Sequence, residues 1–238
     1  MDRSSGASGG TFTTILSVFD SMSMSDMYKA LNPFSLAASA PPKDVPSESI
    51  IEKALGVRAI RDLGTVTTCP SGIADMTIVH RSSTLLPELY GQRFFFRQFL
   101  YVRNAFIGVL VHVGFFIGLG LLALPPVRWL LRKWYYKPGN GPTLENSSND
   151  RVEYHAVATA DQDGPSPTRV FGKFSYEGSM YVLTGLFLAE AAMSILDKEE
   201  EVRKVSRGGI VTPAMLGQNF VDRVEKVGCH FETKVYKY

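Results

Sequence analysis

Cysteine and histidine are scarce in this chain of 238 residues. The two cysteines, Cys69 and Cys229, lie far apart and make no Cys-x-x-Cys pair. That excludes a disulfide framework and predicts two free thiols in a reducing compartment. Cys69 precedes Pro70 with no histidine beside it in sequence, so a small buried thiol is expected there rather than a nucleophile. The four histidines, His80, His112, His155 and His230, have no ligand spacing, which argues against a zinc centre or any other metal site. Charge of one sign is missing too. Lys and Arg total 25 against 23 Asp and Glu, a net +2, whereas nucleic-acid recognition needs a large, clustered basic excess. No strand pattern runs into a G-x-G-x-x-G turn, so a dinucleotide fingerprint is absent. Gly6-Ala7-Ser8-Gly9-Gly10 has the wrong spacing, and Gly118-Leu119-Gly120 sits inside an apolar run. Residues 1–10 are polar and rich in Gly and Ser, unlike the basic-then-apolar pattern of a secretory signal.

What is abundant is apolar and aromatic. The stretch AFIGVLVHVGFFIGLGLLAL, residues 105–124, has no charge and one histidine. At about 1.5 Å per residue it is long enough to cross a hydrocarbon core of about 30 Å. Arg93, Arg97 and Arg103 precede it, Pro125-Pro126 end it, and VRWLLRKWYYK follows. Aromatic rings with long cations at the end of an apolar run fit a membrane interface. The predicted interface residues are Arg97, Arg103, Phe106, Phe115, Phe116, Arg128, Trp129, Arg132, Lys133, Trp134 and Tyr135. The alternative is a buried core helix, against which stand the missing polar face and the cationic flanks. Cations at both ends lack the asymmetry of a single pass. A hairpin dipping into one leaflet, or a helix lying in a monolayer such as a lipid-droplet surface, suits that symmetry better. Gly114 and Gly118 form a GxxxG that can pack helices in lipid. His112 reads as a tolerated polar group, since no carboxylate lies near it in sequence.

Around this segment the periodicity predicts an α+β fold. Residues 11–31 read as one helix, with Ile15, Val18, Phe19, Met22 and Met27 near one stripe. Residues 64–81 read as strand, notably the alternating ADMTIVHR. Residues 138–150 have linker composition. VEYHAVATA and TRVFGKFSYEG predict a hairpin, and residues 180–197 an apolar helix over the sheet. DKEEEVRKVSR reads as a solvated charged run. GGIVTPA predicts a short strand leading into a helix over 214–227, with Thr212 as cap, Pro213 in the first turn and Gly228 at the end. CHFETKVYKY closes as a strand. The expected architecture is one mixed or antiparallel sheet from residues about 64–81, 152–177, 209–212 and 229–236. Helices cover it, and a hydrophobic membrane-type helix or hairpin is inserted between its strand groups. By residues, 1–89 is the first part of the α+β domain, 90–137 the membrane-associating segment, 138–150 a linker and 151–238 the rest of the same domain.

Four stretches, in order, resemble the saccharopine dehydrogenase-like oxidoreductases. They are SSGASGGTFTTILSVFDS, LLALPPVRWLLRKWYYKPGNGP, LAEAAMSILD and GGIVTPAMLGQNFVDRVEKVG. The resemblance implies a NAD- or NADP-linked reductase of lipid-related substrates, with bacterial relatives similar to trans-acting enoyl reductases of glycolipid synthesis. It also implies that the dinucleotide is bound by a Rossmann domain upstream of the GxSGGT stretch. This chain then corresponds to the second domain and tail, with no cofactor site and no catalytic residue of its own. NAD(P) is expected for the intact family, and the hydride chemistry is the cofactor's. Ser8, Thr11, Tyr176 and Glu177 are the polar candidates for a substrate wall. Their plainer readings are helix-start caps for Ser8 and Thr11 and a strand-end pair for Tyr176-Glu177. The implied partners are a membrane or lipid monolayer, and a Rossmann-domain protein or a second copy. The implied location is the cytoplasmic face of an endomembrane or lipid droplet. The alternative is a non-catalytic membrane- or lipid-droplet-associated binding or scaffold protein.

Overall fold

The computed structural model describes residues 9–43, 45–134, 147, 149–162, 167–197 and 209–236. The chain forms two compact units, one within residues 7–141 and the other within 142–238. Ser8, Tyr135, the side chain of Trp134, most of the predicted linker and the charged run over 198–207 lie outside the described residues.

The N-terminal unit is built on three short antiparallel strands in the order β1 (Val57–Ile60), β2 (Gly64–Thr68) and β3 (Phe99–Tyr101). A tight turn joins β1 to β2, with Asp62 at φ 74° and Gly64 at φ 80°. Helix α1 spans Gly9–Ser21 and α2 spans Met24–Ala30. The predicted single helix over 11–31 breaks between them because the Ser23 hydroxyl accepts the Asp26 N–H at 3.1 Å and starts a new helix. Helix α3 (Ile50–Leu55) opens with a reciprocal capping box between Ser49 and Glu52 and closes on Gly56 at φ 64°. Helix α4 is Gly72–Leu85 and α5 is Pro87–Tyr90.

Helix α6 (Ala105–Leu122) is capped by Asn104, whose side chain accepts the Ile107 N–H at 2.9 Å. It lies across β2 and β1. Helix α7 (Pro125–Trp134) follows at once; the fixed φ of proline suits a first helical position. The Arg128 guanidinium donates to the carbonyls of Leu122 and Ala123 at 2.8 and 2.9 Å, so it caps the end of α6.

The C-terminal unit is a second antiparallel sheet in the order β4 (Arg151–Thr159), β5 (Arg169–Glu177) and β6 (Cys229–Tyr236). The registers Val152↔Tyr176 and Tyr176↔Cys229 put alternate apolar residues on one face. Helices α8 (Met180–Asp197) and α9 (Gly217–Lys226) pack together on that face. Val152, Tyr176, Leu183, Val224 and Cys229 form the core. Arg223 of α9 clamps α8 through Glu190 at 2.7 Å and Asp197 at 2.6 Å. Gly228, at φ 98°, turns the chain from α9 into β6.

Four expectations are corrected. Among the described residues there is not one sheet but two, each of three strands. Residues 72–81 are helix, not strand, because the enclosed positions Thr77, His80 and Ser83 recur at helical spacing and are polar. Residues 209–212 form no strand; after them Pro213–Leu216 make a 3₁₀ turn before α9, and the Thr212 side chain makes no cap bond. The apolar helix is not an appendage between strand groups but part of the N-terminal unit, seated on its sheet.

Candidate functional site

The outstanding feature of the N-terminal unit is how little of its apolar helix is covered. Of the residues of α6, only Gly108 is buried. A side chain there would force its neighbours to shift, because a Cβ would lie 2.7 Å from Val57 Cγ2 and 3.3 Å from Val102 Cγ2. The Thr67 hydroxyl, itself 1% exposed, sits 2.9 Å from the carbonyls of both Gly108 and Gly56. One turn on, His112 Nδ1 lies 2.7 Å from the Thr68 hydroxyl. His112 also fills the space where a Cβ on Gly56 would stand. His112 is thus a tolerated polar group with a partner, and that partner lies in β2 rather than in neighbouring sequence.

The opposite side of α6 is open. Phe106, Leu110, Val113, Ile117, Leu121 and Leu124 recur at helical spacing and are between 44% and 72% exposed. Helix α3, packed against α6, adds exposed Ile50 and Ile51. A Cβ at Gly114 or Gly118 would meet nothing within 4 Å, so no helix of the described residues packs on the GxxxG. Phe116 is exposed and its ring stands edge-on to His112 at 4.8 Å, while Phe115 is half-buried.

The cations around this surface divide into two kinds. Arg103 and Lys133 are exposed, and Lys133 lies over the Trp129 ring at 5.1 Å. Arg128 is held by Asp20 of α1 at 2.9 Å, and Arg132 pairs with the same carboxylate. These two guanidiniums hold the Asp20 carboxyl below its ordinary range, the Arg132 hydrogen bond contributing most. Arg97 does not face outward as predicted. It pairs with Glu48 at 3.1 Å, donates to the Pro46 carbonyl at 2.6 Å and lies over the Phe95 ring. Glu48 also holds Arg58 at 2.7 Å. From 89 to 144 the sequence has seven Lys or Arg and no Asp or Glu.

The substrate-wall candidates fare differently. Thr11 is exposed in the first turn of α1. Tyr176 is 8% exposed in the core of the C-terminal unit, its ring filling the space beside Gly178. Burial pushes its phenol pKa up. Glu177 points the other way and pairs with Arg151 at 3.2 Å. Tyr176 and Glu177 are therefore a core side chain and a surface ion pair at a strand end.

Sequence reasoning missed His80. It is fully enclosed, stacked on Phe34 at 4.1 Å and near Phe95 and Phe94. Its Nε2 accepts the Phe96 N–H at 3.1 Å, so Nδ1, 3.2 Å from the Pro33 carbonyl, carries the proton. One neutral ring thus ties three segments together, and burial lowers its pKa. The run Phe94-Phe95-Phe96 was the available signal. The half-buried Cys69 thiol meets Ser71 at 3.4 Å and Gln98 at 3.6 Å, neither of them a base.

Among the described residues neither sheet has the arrangement of a Rossmann dinucleotide site. Both sheets are wholly antiparallel, whereas that cofactor is held at the carboxyl ends of parallel strands entering helices. Among the described residues no group of three or more His, Cys, Asp or Glu could hold a metal ion. By length and composition, α6 and α8 could each cross a membrane.

Over 254 aligned residues the chain is 26% identical to a Mycobacterium tuberculosis protein named "Putative trans-acting enoyl reductase", and to its counterpart in a second strain of that organism. The alignment takes in 96% of this chain and 56% of each relative. The chain thus spans little more than half the length of these curated relatives. No protein-family model matches the sequence, and no solved structure matches it.

Proposed function

We propose that this chain is the C-terminal, substrate-side and membrane-associating portion of a NAD(P)-linked oxidoreductase of the saccharopine dehydrogenase-like kind, acting on a lipid-related substrate. The observation that carries the reading is the alignment, which runs along 96% of the chain to proteins named as enoyl reductases. The four motif stretches of the sequence resemblance point the same way. An uncovered apolar helix suits a substrate that is itself lipid-like. The cofactor would be held by a Rossmann domain outside these residues, so the chain alone is expected to turn nothing over.

A second reading is favoured by one observation. Tyr176 and Glu177 have structural tasks, which leaves the α6 surface as the conspicuous feature and suits a non-catalytic lipid-surface binding or scaffold protein. Full-length sequencing of the transcript separates the two. An in-frame apolar strand followed by G-x-G-x-x-G, upstream of the Met1 codon, supports the reductase. A stop codon immediately upstream, in every transcript, overturns it in favour of the scaffold.

A further inference from the structure

We infer that α6 docks in the plane of an anionic lipid surface and does not cross it, with α3 and the Trp129 side of α7 as flanking contacts. This rests on the membrane part of the reading above. Length alone would let α6 span, but its sheet contacts forbid it. Thr67 and Thr68 hold Gly108 and His112 at hydrogen-bonding distance. A helix upright in a bilayer would carry β1–β3 into the hydrocarbon with it. Among the described residues no strand pairs with the outer edges of β1 and β3, and unpaired strand edges are not tolerated against lipid. Only residues 113–122 extend past the last pinned residue. Ten residues reach about 15 Å, half of a core about 30 Å thick.

Lying flat, the same helix satisfies every constraint. The outer stripe from Phe106 to Leu124 faces lipid over its whole length, while the pinned side keeps the sheet above the surface. Ile50 and Ile51 of α3 belong to a helix of six residues that could never span, yet they are 86% and 70% exposed beside α6. Their exposure fits an interface that runs sideways. Charge names the partner. Arg103 before α6 and Lys133 after it are both exposed, and the acidic residues that other elements bring to this region are already engaged, Asp20 by Arg128 and Arg132, Glu48 by Arg97 and Glu52 by the Ser49 N–H. Acidic phospholipid headgroups complement such a surface, and an exposed Trp129 ring suits headgroup level.

The test uses the full chain and phosphatidylcholine vesicles with or without phosphatidylserine, separated by flotation. Binding should be at least about tenfold tighter with phosphatidylserine, since two exposed cations face the headgroups. Equal binding to both vesicles overturns the anionic assignment. Leu110→Glu and Ile117→Glu should each release the chain while its far-UV circular dichroism stays unchanged; retained binding overturns the docking face. Orientation is read with Arg103→Cys and Lys133→Cys, each in a Cys69→Ser, Cys229→Ser background whose circular dichroism matches the parent. Both cysteines should react with an impermeant maleimide outside sealed vesicles. If one reacts only after the vesicles are opened, α6 crosses, and this inference fails while the membrane reading stands. If the chain floats with neither vesicle, both fail together.

Discussion

In the C-terminal unit the deepest side chains are mainly apolar, with Leu183, Val224 and Cys229 at 2% exposure or less. In the N-terminal unit His80 and Thr67 are as deeply enclosed as the apolar Leu16, while Phe106, Leu110 and Ile117 stand outside. The first pattern is that of a domain folding against water. The second encloses more polar than apolar side chains, with Leu16, Val66 and Val102 beside Thr67, Thr77, His80, Ser82 and Ser83, and leaves its most apolar helix uncovered. Burial of a polar group is tolerable when it has a partner, and Thr67 and His80 do: Thr67 meets two carbonyls, and His80 joins a carbonyl and an N–H. The contrast teaches that apolar content alone does not locate a core. In the N-terminal unit, position on the sheet decides which residues are enclosed, and the apolar remainder is available to a different solvent.

The strongest way to sharpen this contrast is to open a cavity on one side of it. Leu183→Ala should destabilise the C-terminal unit by about 3 kcal/mol, the usual cost of a buried leucine. Leu110→Ala, on the outer stripe of α6, should stay within about 0.5 kcal/mol. Amide hydrogen exchange in β4–β6 reads the first. Tryptophan fluorescence reads the N-terminal unit, since both tryptophans, Trp129 and Trp134, belong to α7. If Leu183→Ala shifts both signals equally, the units do not fold separately and the comparison breaks.

The second variant presses on the joint between α6 and its sheet. Gly108→Val places methyl groups where Val57 and Val102 already stand, and overpacking of this kind costs about 2 kcal/mol. Fluorescence-detected denaturation should record the loss, and the vesicle affinity should change with it because the docking face is no longer held. A neutral result would mean that α6 is not seated on β2.

His80 gives the contrast a pH signature. Its folded pKa lies below the ordinary histidine value because burial disfavours the cation. The neutral ring is therefore the folded form. Its contribution is fully present above about pH 6.5 and is lost as pH falls through the lowered folded value. Asp20 and Glu52, both held below their ordinary range, add losses only at lower pH, below about 4. His80→Gln keeps a donor and an acceptor but cannot titrate. It should cost about 1 kcal/mol at neutral pH and flatten the slope that begins below about pH 6.5. A slope unchanged in His80→Gln would assign the acid sensitivity elsewhere.

Legibility followed the same divide. The C-terminal unit was readable because its strands are long and alternate, its hairpin closes locally, and Gly228 marks the end of α9. The hairpin of residues 152–177 came directly from period two; its register came only from the structure. In the N-terminal unit β1 and β3 have four and three residues, too short to leave a period. The ADMTIVHR stretch misled because Ile78 is exposed while Thr77 and His80 are enclosed; hydrophobicity there points to the wrong face. The length and cationic flanks of the apolar run were plain. That Arg97 and Arg128 serve internal pairs was not, since their partners Glu48 and Asp20 are distant in sequence. Tyr176 and Glu177 looked like a polar pair, and only the strand alternation separates them onto opposite faces.

The smallest expected effect has the opposite sign and bears on the same helix. Gly118 lies in α6, and a Cβ added to it would meet nothing within 4 Å; its backbone is ordinary helix. Replacing a helical glycine by alanine gains about 0.5–1 kcal/mol where no contact opposes it. Gly118→Ala should therefore raise the midpoint of the fluorescence transition slightly and leave the chain's mass in sedimentation unchanged. The neighbouring Gly108→Val should do the reverse, although both change a glycine of one helix. If Gly118→Ala instead lowers stability, and the parent but not the variant sediments as a dimer, then Gly114 and Gly118 pack against a second copy. The outer side of α6 would then be a protein interface, and the difference between the two units would reduce to a helix awaiting its partner.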